Sequence, residues 1–122
     1  MPIILVVEDT STERNLISAL LVHAGFKNEA VSSAEDAWEW LENNPLPDLI
    51  ILDIIMQGET GLDLCRKIRN NPQWEKVPIL FCSSKSEAFD RFWALRQGGS
   101  DYITKPFAPQ EFLDTITRHV HP

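Results

Sequence analysis

The residues of this chain that carry chemistry are three acids, a hydroxyl and a lysine, and each one follows a run of apolar residues. Glu8 and Asp9 close the run Ile3–Val7, Asp53 closes Leu49–Leu52, Ser83 closes Val77 to Cys82, and Lys105 follows the stretch Ser100 to Thr104. Brought together, three carboxylates would face one ammonium, a surplus of negative charge that repels itself unless a cation sits there. Oxygen-only ligands with no His or Cys beside them suit a hard ion, Mg²⁺ above all, which keeps several waters and takes one or two carboxylates. Acids and hydroxyls also favour strand-to-helix turns as plain caps facing water. Five such residues at the matching ends of four strands point instead to convergence.

The elements that must position them start from Pro47 to Gly58. Leu49-Ile50-Ile51-Leu52 is unbroken and apolar without alternation, and it ends on Asp53. That pattern suits a strand covered on both faces, as in a parallel sheet; a buried helix segment competes, but the run is short and rich in isoleucine. Ile3–Val7 reads as a second buried strand. The helix after it is expected to be capped by Ser11 or Thr12, with Leu16, Ala19, Leu20 and His23 at helical spacing, and to stop at Gly25. A weaker, more polar strand around Ala30 and Val31 fits a sheet edge. Ser32 and Glu35 make a capping-box pattern for a helix turning Ala34, Ala37, Trp38 and Leu41 inward. After Asp53 comes a glycine-containing loop to Gly61, then a helix over Leu62, Leu64, Cys65 and Ile68. A fourth strand, Val77 to Cys82, carries Pro78 near its start, where a missing N–H is tolerated. A helix from Ser86 to Gln97, a strand from Ser100 to Thr104, and a helix from Pro109 to His119 with Phe112, Leu113 and Ile116 inward complete the chain.

Five strands alternating with five helices imply an α/β fold: a parallel sheet covered on both faces, with right-handed crossovers and ligands beyond the carboxyl ends of the strands. The sequence predicts one domain over residues 1–122 with no output domain. At 122 residues the chain is long enough to bury a core without disulfides. Cys65 and Cys82 lack CxxC spacing and read as two reduced thiols of a cytoplasmic protein. The net charge of −7 opposes nucleic-acid phosphate. The N-terminus has no basic segment and meets acid after five apolar residues, so neither a signal peptide nor membrane insertion is expected. His23, His119 and His121 read as surface residues away from the acidic edge.

The Glu8-Asp9 pair, the apolar strand ending in Asp53, Asp53-Ile54-Ile55-Met56 with Gly61 following, the Ser83-Ser84 step and Asp101-Tyr102-Ile103-Thr104-Lys105-Pro106-Phe107 together resemble the receiver domain of two-component response regulators. The likeness runs from Ile3 to His119. Within that family the chain resembles stand-alone chemotaxis-type regulators, and Phe92 to Gly98 with Tyr102 to Pro106 resemble those of twitching-motility or phototaxis pathways. The resemblance implies a doubly wound, flavodoxin-like sheet in the order 2-1-3-4-5. It implies Asp53 as phosphoacceptor from a sensor histidine kinase or phosphotransfer protein. Asp9 and Asp53 would ligate Mg²⁺, with the backbone carbonyl of Ile55, and Glu8 through water. Lys105 and the Ser83 hydroxyl would pair with the phosphoryl group, Tyr102 would swing inward as the aromatic switch, and Lys105-Pro106 would be cis. The sequence departs from the family pattern at Gln57, usually proline; at Ser84, commonly small and apolar; and at Ser83, more often threonine.

The chemistry fits that reading, since phosphoryl transfer is mostly positioning and neutralisation of equatorial oxygens, and an ionised Asp53 needs no general base. A Mg²⁺-dependent phosphatase with an aspartate nucleophile is the alternative enzyme, but such sites usually carry a second acid two residues on, where this chain has Ile55. A receiver-like module that binds without phosphorylation would lack an acid, the nucleophile or the lysine, and none is missing. A phosphate sink without output remains a further reading. Output to a downstream protein, or to a second copy on phosphorylation, is expected through the fourth helix, fifth strand and fifth helix. There Ala88, Phe89, Phe92, Trp93 and Leu95 are either all core, as large aromatics favour, or split, with Ala88 and Phe92 facing the sheet while Phe89, Trp93 or Leu95 joins Tyr102 in an exposed patch.

Overall fold

A computed structural model describes residues 2–121. Strand and helix alternate along the chain: β1 (Ile3–Val7), α1 (Ser11–His23), β2 (Lys27–Val31), α2 (Ala34–Asn43), β3 (Leu49–Leu52), α3 (Gly61–Arg69), β4 (Ile79–Ser83), α4 (Ala88–Arg96), β5 (Asp101–Thr104) and α5 (Pro109–Thr117). The strands form one parallel five-stranded sheet in the order β2-β1-β3-β4-β5, the doubly wound α/β arrangement expected from the sequence. β3 and β4 are buried along their whole length, whereas β2, at the edge, exposes Lys27, Glu29 and Ala30.

Successive strand residues point to opposite faces, so an unbroken apolar run supplies two cores at once. Leu5, Val7, Ile50, Leu52 and Phe81 pack under α2, α3 and Ala94 of α4. Ile4, Val6, Leu49, Ile51 and Leu80 pack under α1 and α5. Each such aliphatic side chain contributes about 1.5–3 kcal/mol on burial, which makes the inner strands the rigid base of the sheet edge above them.

Several local expectations are corrected. α1 buries Ile17 and Leu21, while Leu16 is 52% exposed and His23 faces solvent. The segment is apolar on more than one side, so spacing alone did not select the stripe that meets the sheet. Its N-cap is Thr10, which makes no side-chain cap bond, in place of Ser11 or Thr12. α2 is capped one residue later than Ser32, by Ser33, whose Oγ accepts from Asp36 N at 3.0 Å. Trp38 is half-buried, edge-on to Trp74. β4 starts at Ile79, two residues late, and extends to include Ser83. α4 starts at Ala88, where Asp90 Oδ2 accepts from Glu87 N at 3.2 Å. Only Ala94 of α4 is buried; Ala88 and Phe92 face solvent instead of the sheet. α4 thus buries one small residue against its neighbours, leaving the rest of its apolar surface outside. α5 ends at Thr117, with Phe112 and Ile116 buried and Leu113 half-buried. Cys65 and Cys82 are free and buried, and burial pushes their thiols up to about 11 and about 12.

Candidate functional site

Strand register assembles the polar edge. β1 and β3 pair Val7 with Leu52, so the next residues, Glu8 and Asp53, leave the sheet side by side, and Asp53 N donates to Val7 O at 3.2 Å. β4 and β5 pair Ser83 with Thr104, and Lys105 N donates to Ser83 O at 2.8 Å. Lys105, on a cis Lys105-Pro106 peptide as the resemblance implies, returns over the edge. Its Nζ lies 2.6 Å from Glu8 Oε2, 2.9 Å from Asp53 Oδ2 and 3.1 Å from Glu13 Oε1.

Apart from Glu13, this network lies out of solvent. Glu8 and Asp53 are buried, and the Lys105 side chain is 9% exposed. Burial pushes the Glu8 carboxyl up to about 7, with the Lys105 hydrogen bond opposing and the neighbouring Asp53 charge adding to the rise. Burial alone would lower Lys105, but its hydrogen bonds to Glu8 and Asp53 outweigh that and hold it above its ordinary value. The second Glu8 oxygen accepts from Thr10 N at 3.2 Å, and Asp53 Oδ1 accepts from Ile55 N at 3.1 Å.

The loop after β3 fixes Asp53 from below. Gly61, the first residue of α3, donates its N–H to Ile54 O at 3.0 Å. A Cβ there would stand 2.0 Å from Asp53 O, so only glycine lets α3 begin this close to the aspartate backbone. Asp9 does not join the carboxylates around Lys105; its Oδ2 accepts from Gln57 N at 3.2 Å, tying the β1–α1 turn to the loop beyond Asp53. Arg14 braces the acidic pair from behind, donating to Glu8 O at 2.9 Å and Asp9 O at 3.3 Å. The side chain of Ile55 is exposed.

Ser83 and Tyr102 are linked through one residue. Ser83 Oγ accepts from Lys85 N at 3.3 Å, and Tyr102 O–H donates to Lys85 O at 2.6 Å. Burial pushes the Tyr102 phenol up, the Ser83 hydroxyl partly offsetting it. The Tyr102 ring is already inside, at 5% exposure, so it contributes no part of the exposed patch expected from the sequence. Phe89, Trp93 and Leu95 are exposed, with Phe89 and Trp93 stacked at 6.3 Å. They occupy two flanks of α4. Trp93 lies one turn before Gln97, which meets Arg66 of α3 at 3.2 Å; Leu95 lies one turn after Arg91, which donates to Tyr102 O at 3.3 Å.

Sequence reasoning missed Glu13 and Arg14, and it placed His119 on the open surface. Glu13 completes an acidic cluster with Glu8 and Asp53, yet in the sequence it looks like any acid placed in a first helical turn. His119 is half-buried, with Nε2 3.0 Å from Asp101 Oδ2, an oxygen it shares with Arg118. No signal short of the fold would have paired residues from β5 and the end of α5.

Residues 4–117 match the response regulator receiver domain. The chain belongs to that family. Phosphorylation on an aspartate is general for receivers, and this receiver offers an acidic cluster of the kind the family uses to bind Mg²⁺. It is 36% identical over 124 residues to the transcriptional regulatory protein BaeR of Escherichia coli, covering 99% of this chain and 50% of BaeR. It is 34% identical over 116 residues to the phosphate regulon transcriptional regulatory protein PhoB of Rhizobium meliloti, covering 95% of this chain and 51% of PhoB. The receiver thus spans about half the length of these curated relatives. Among solved structures it is similar to the chemotaxis protein CheY4 of Vibrio cholerae, with a TM-score of 0.91, 26% identity and 98% and 99% of the two chains covered. A response regulator from Chloroflexus aurantiacus gives 0.92, 29% identity and 97% of each chain. Among the described residues no helix is long and apolar enough to cross a membrane.

Proposed function

We propose that Asp53 accepts a phosphoryl group from a phosphohistidine on a histidine kinase or phosphotransfer protein, and that this receiver passes the signal to a protein partner. The observation that carries the reading is the placement of Asp53: a buried carboxylate at the end of β3, with Lys105 Nζ at 2.9 Å and Ile55 N at 3.1 Å. An Asp53 oxygen attacks phosphorus, the phosphorus–nitrogen bond to the histidine breaks, and the imidazole leaves. Lys105 moves from the carboxylate to the transferred oxygens, and the buried Ser83 hydroxyl, still free to donate, adds a second hydrogen bond.

The donor set fits a hard cation. Carboxylates outnumber cations at this edge, all donors are oxygen, and the Asp9 carboxylate is held by a single backbone N–H. Asp9, Asp53 and the Ile55 carbonyl would ligate Mg²⁺, with Glu8 acting through water; the ion would supply charge neutralisation of the phosphoryl oxygens. Gln57 matters to this arrangement because its N–H orients Asp9.

Output begins at Lys85. When Ser83 turns to the phosphoryl group it releases Lys85 N, and the Lys85 carbonyl that anchors Tyr102 shifts with it, biasing two arrangements of the β4–α4 loop. The signal leaves through α4, where Phe89, Phe92, Trp93 and Leu95 stand in solvent, to a partner protein or a second copy of the chain.

The test is incubation with a small phosphodonor and Mg²⁺, followed by borohydride trapping and peptide mass spectrometry. One modification on Asp53, lost in Asp53→Asn, is expected. Label elsewhere on the wild-type chain would refute the assignment. Amide shifts on adding Mg²⁺ and beryllofluoride, a phosphoryl mimic, should reach Lys85, Tyr102 and α4. Shifts confined to the acidic edge would leave a phosphate sink without output.

A further inference from the structure

Three carboxylates approach Lys105, and one differs from the other two. Glu8 and Asp53 stand at strand ends with side chains 2% and 8% exposed, each with its second oxygen on a backbone N–H. Glu13 comes from the first turn of α1, and its side chain is 40% exposed. Lysine has three N–H donors. Two are hydrogen-bonded, to Glu8 and Asp53, and Glu13 Oε1 stands 3.1 Å from the same nitrogen. A phosphoryl group arriving at Asp53 draws Lys105 off the carboxylate, and Glu13 Oε1 stands close enough to compete for the same ammonium. Lys105 and Glu13 also line one groove of about 360 Å³, together with Leu16, Ile17, Ser84, Pro106 and Phe107, so whatever reaches Lys105 from that groove meets Glu13 too.

Building on the phosphoacceptor reading of Asp53, we propose that Glu13 is a specificity-determining residue that competes with the incoming phosphoryl group for Lys105 and disfavours strongly anionic phosphodonors. Of the three carboxylates it is the one that can leave, because its own side chain is partly exposed and water can take the place of its contact with Lys105, whereas Lys105 itself stays buried. Glu8 cannot leave without stranding a buried charge. A first-turn acid also complements the helix dipole. That role alone would make Glu13→Gln slightly less stable and leave phosphoryl transfer unchanged.

The experiment uses the whole chain at saturating Mg²⁺ with two small donors of different charge. From acetyl phosphate, a dianion, the Asp53 oxygen–phosphorus bond forms, the acyl oxygen–phosphorus bond breaks and acetate leaves. From phosphoramidate, monoanionic as its zwitterion, the phosphorus–nitrogen bond breaks and ammonia leaves with its three protons. Glu13→Gln is expected to raise the acetyl phosphate rate by about two- to fivefold, the range of an ion pair open to water on its Glu13 side. The phosphoramidate rate should rise less. The gain should fade between about 10 mM and about 1 M salt, as the screening length contracts from about 30 Å to about 3 Å. Glu13→Asp, which keeps the charge on a shorter arm, should fall between. Equal rates for wild type and Glu13→Gln, or a gain indifferent to salt, would overturn the proposal. A slower Glu13→Gln reaction with weaker Mg²⁺ binding would also overturn it, by assigning Glu13 to the cation. A wild type that takes no phosphoryl group on Asp53 from either donor would instead overturn the phosphoacceptor reading itself.

Discussion

Gly61→Ala separates helix propensity from tertiary packing, because the two demand opposite signs. Residue 61 opens α3, where alanine gains about 0.5–1 kcal/mol over glycine from propensity and a less flexible unfolded chain. The tertiary structure forbids the gain. The new Cβ would stand 2.0 Å from Asp53 O, where ordinary contact begins near 3.4 Å, so the loop after β3 must retreat by more than an ångström. That movement breaks the Gly61 N to Ile54 O bond at 3.0 Å and loosens Ile55 N to Asp53 Oδ1 at 3.1 Å. The two bonds together contribute about 2 kcal/mol, and forced repacking costs about 1–3 kcal/mol more. Net destabilisation is therefore about 2–4 kcal/mol, and the melting temperature should fall by about 10 °C for a chain of this size. Urea denaturation followed by far-ultraviolet circular dichroism measures it. The same movement displaces the phosphoacceptor, so the Asp53 and Ile55 amides should shift and labelling of Asp53 should slow. A Gly61→Ala protein as stable as wild type within about 0.5 kcal/mol, or more stable, would refute the reasoning.

Further outcomes follow from other contacts. Arg69 donates to Val77 O at 2.6 Å, Gly98 O at 2.8 Å and Glu75 O at 3.0 Å, so Arg69→Ala should cost about 2–4 kcal/mol in urea denaturation by stranding the part-buried carbonyls of Val77 and Gly98. Arg69→Lys should recover less than half of that, because an ammonium lacks the planar fork; full recovery would count against it. Burial would raise Asp101, but hydrogen bonds from His119 and Arg118 outweigh it and hold its carboxyl below 3.8. Its contribution is therefore present above that value and lost as the pH falls through the lowered one. Asp101→Asn should thus cost about 1–2 kcal/mol at pH 7, and the difference from wild type should vanish in acid; a difference independent of pH would contradict the pairing. Tyr102→Phe should cost about 1 kcal/mol by freeing Lys85 O, with the Lys85 amide moving most; an unmoved Lys85 would break the proposed link to Ser83.

Much of the fold was legible because it rests on short-range pattern. Apolar runs of four or five residues between turn signals marked β1, β3 and β4, and their two-sided burial followed from the lack of alternation. The polar β2 was recognisable as an edge for the same reason. The candidate site was legible in part, since Ser83 ends β4 and Glu8, Asp53 and Lys105 each follow a strand's last residue, and parallel strands bring their carboxyl ends to one side. Helix faces were less legible. α1 has Leu16, Ile17, Leu20, Leu21 and Val22, and only the direction of its approach to the sheet selects Ile17 and Leu21. α4 carries more apolar residues than its single buried alanine, so spacing aimed Phe92 inward while packing left it outside.

By itself, then, the sequence determined the alternation of strand and helix, the parallel sheet and the residue types gathered at its edge, because these depend on periods of two and of three to four residues. Tertiary structure decided which of those residues meet. It set Glu13 of α1 on Lys105, 92 positions away, turned Asp9 to the Gln57 amide, and closed Ser83 and Tyr102 onto the two ends of the Lys85 residue. Those contacts depend on distances of a few ångströms between elements remote in the chain, set by strand register and by the missing side chain of Gly61. No local pattern carries that information.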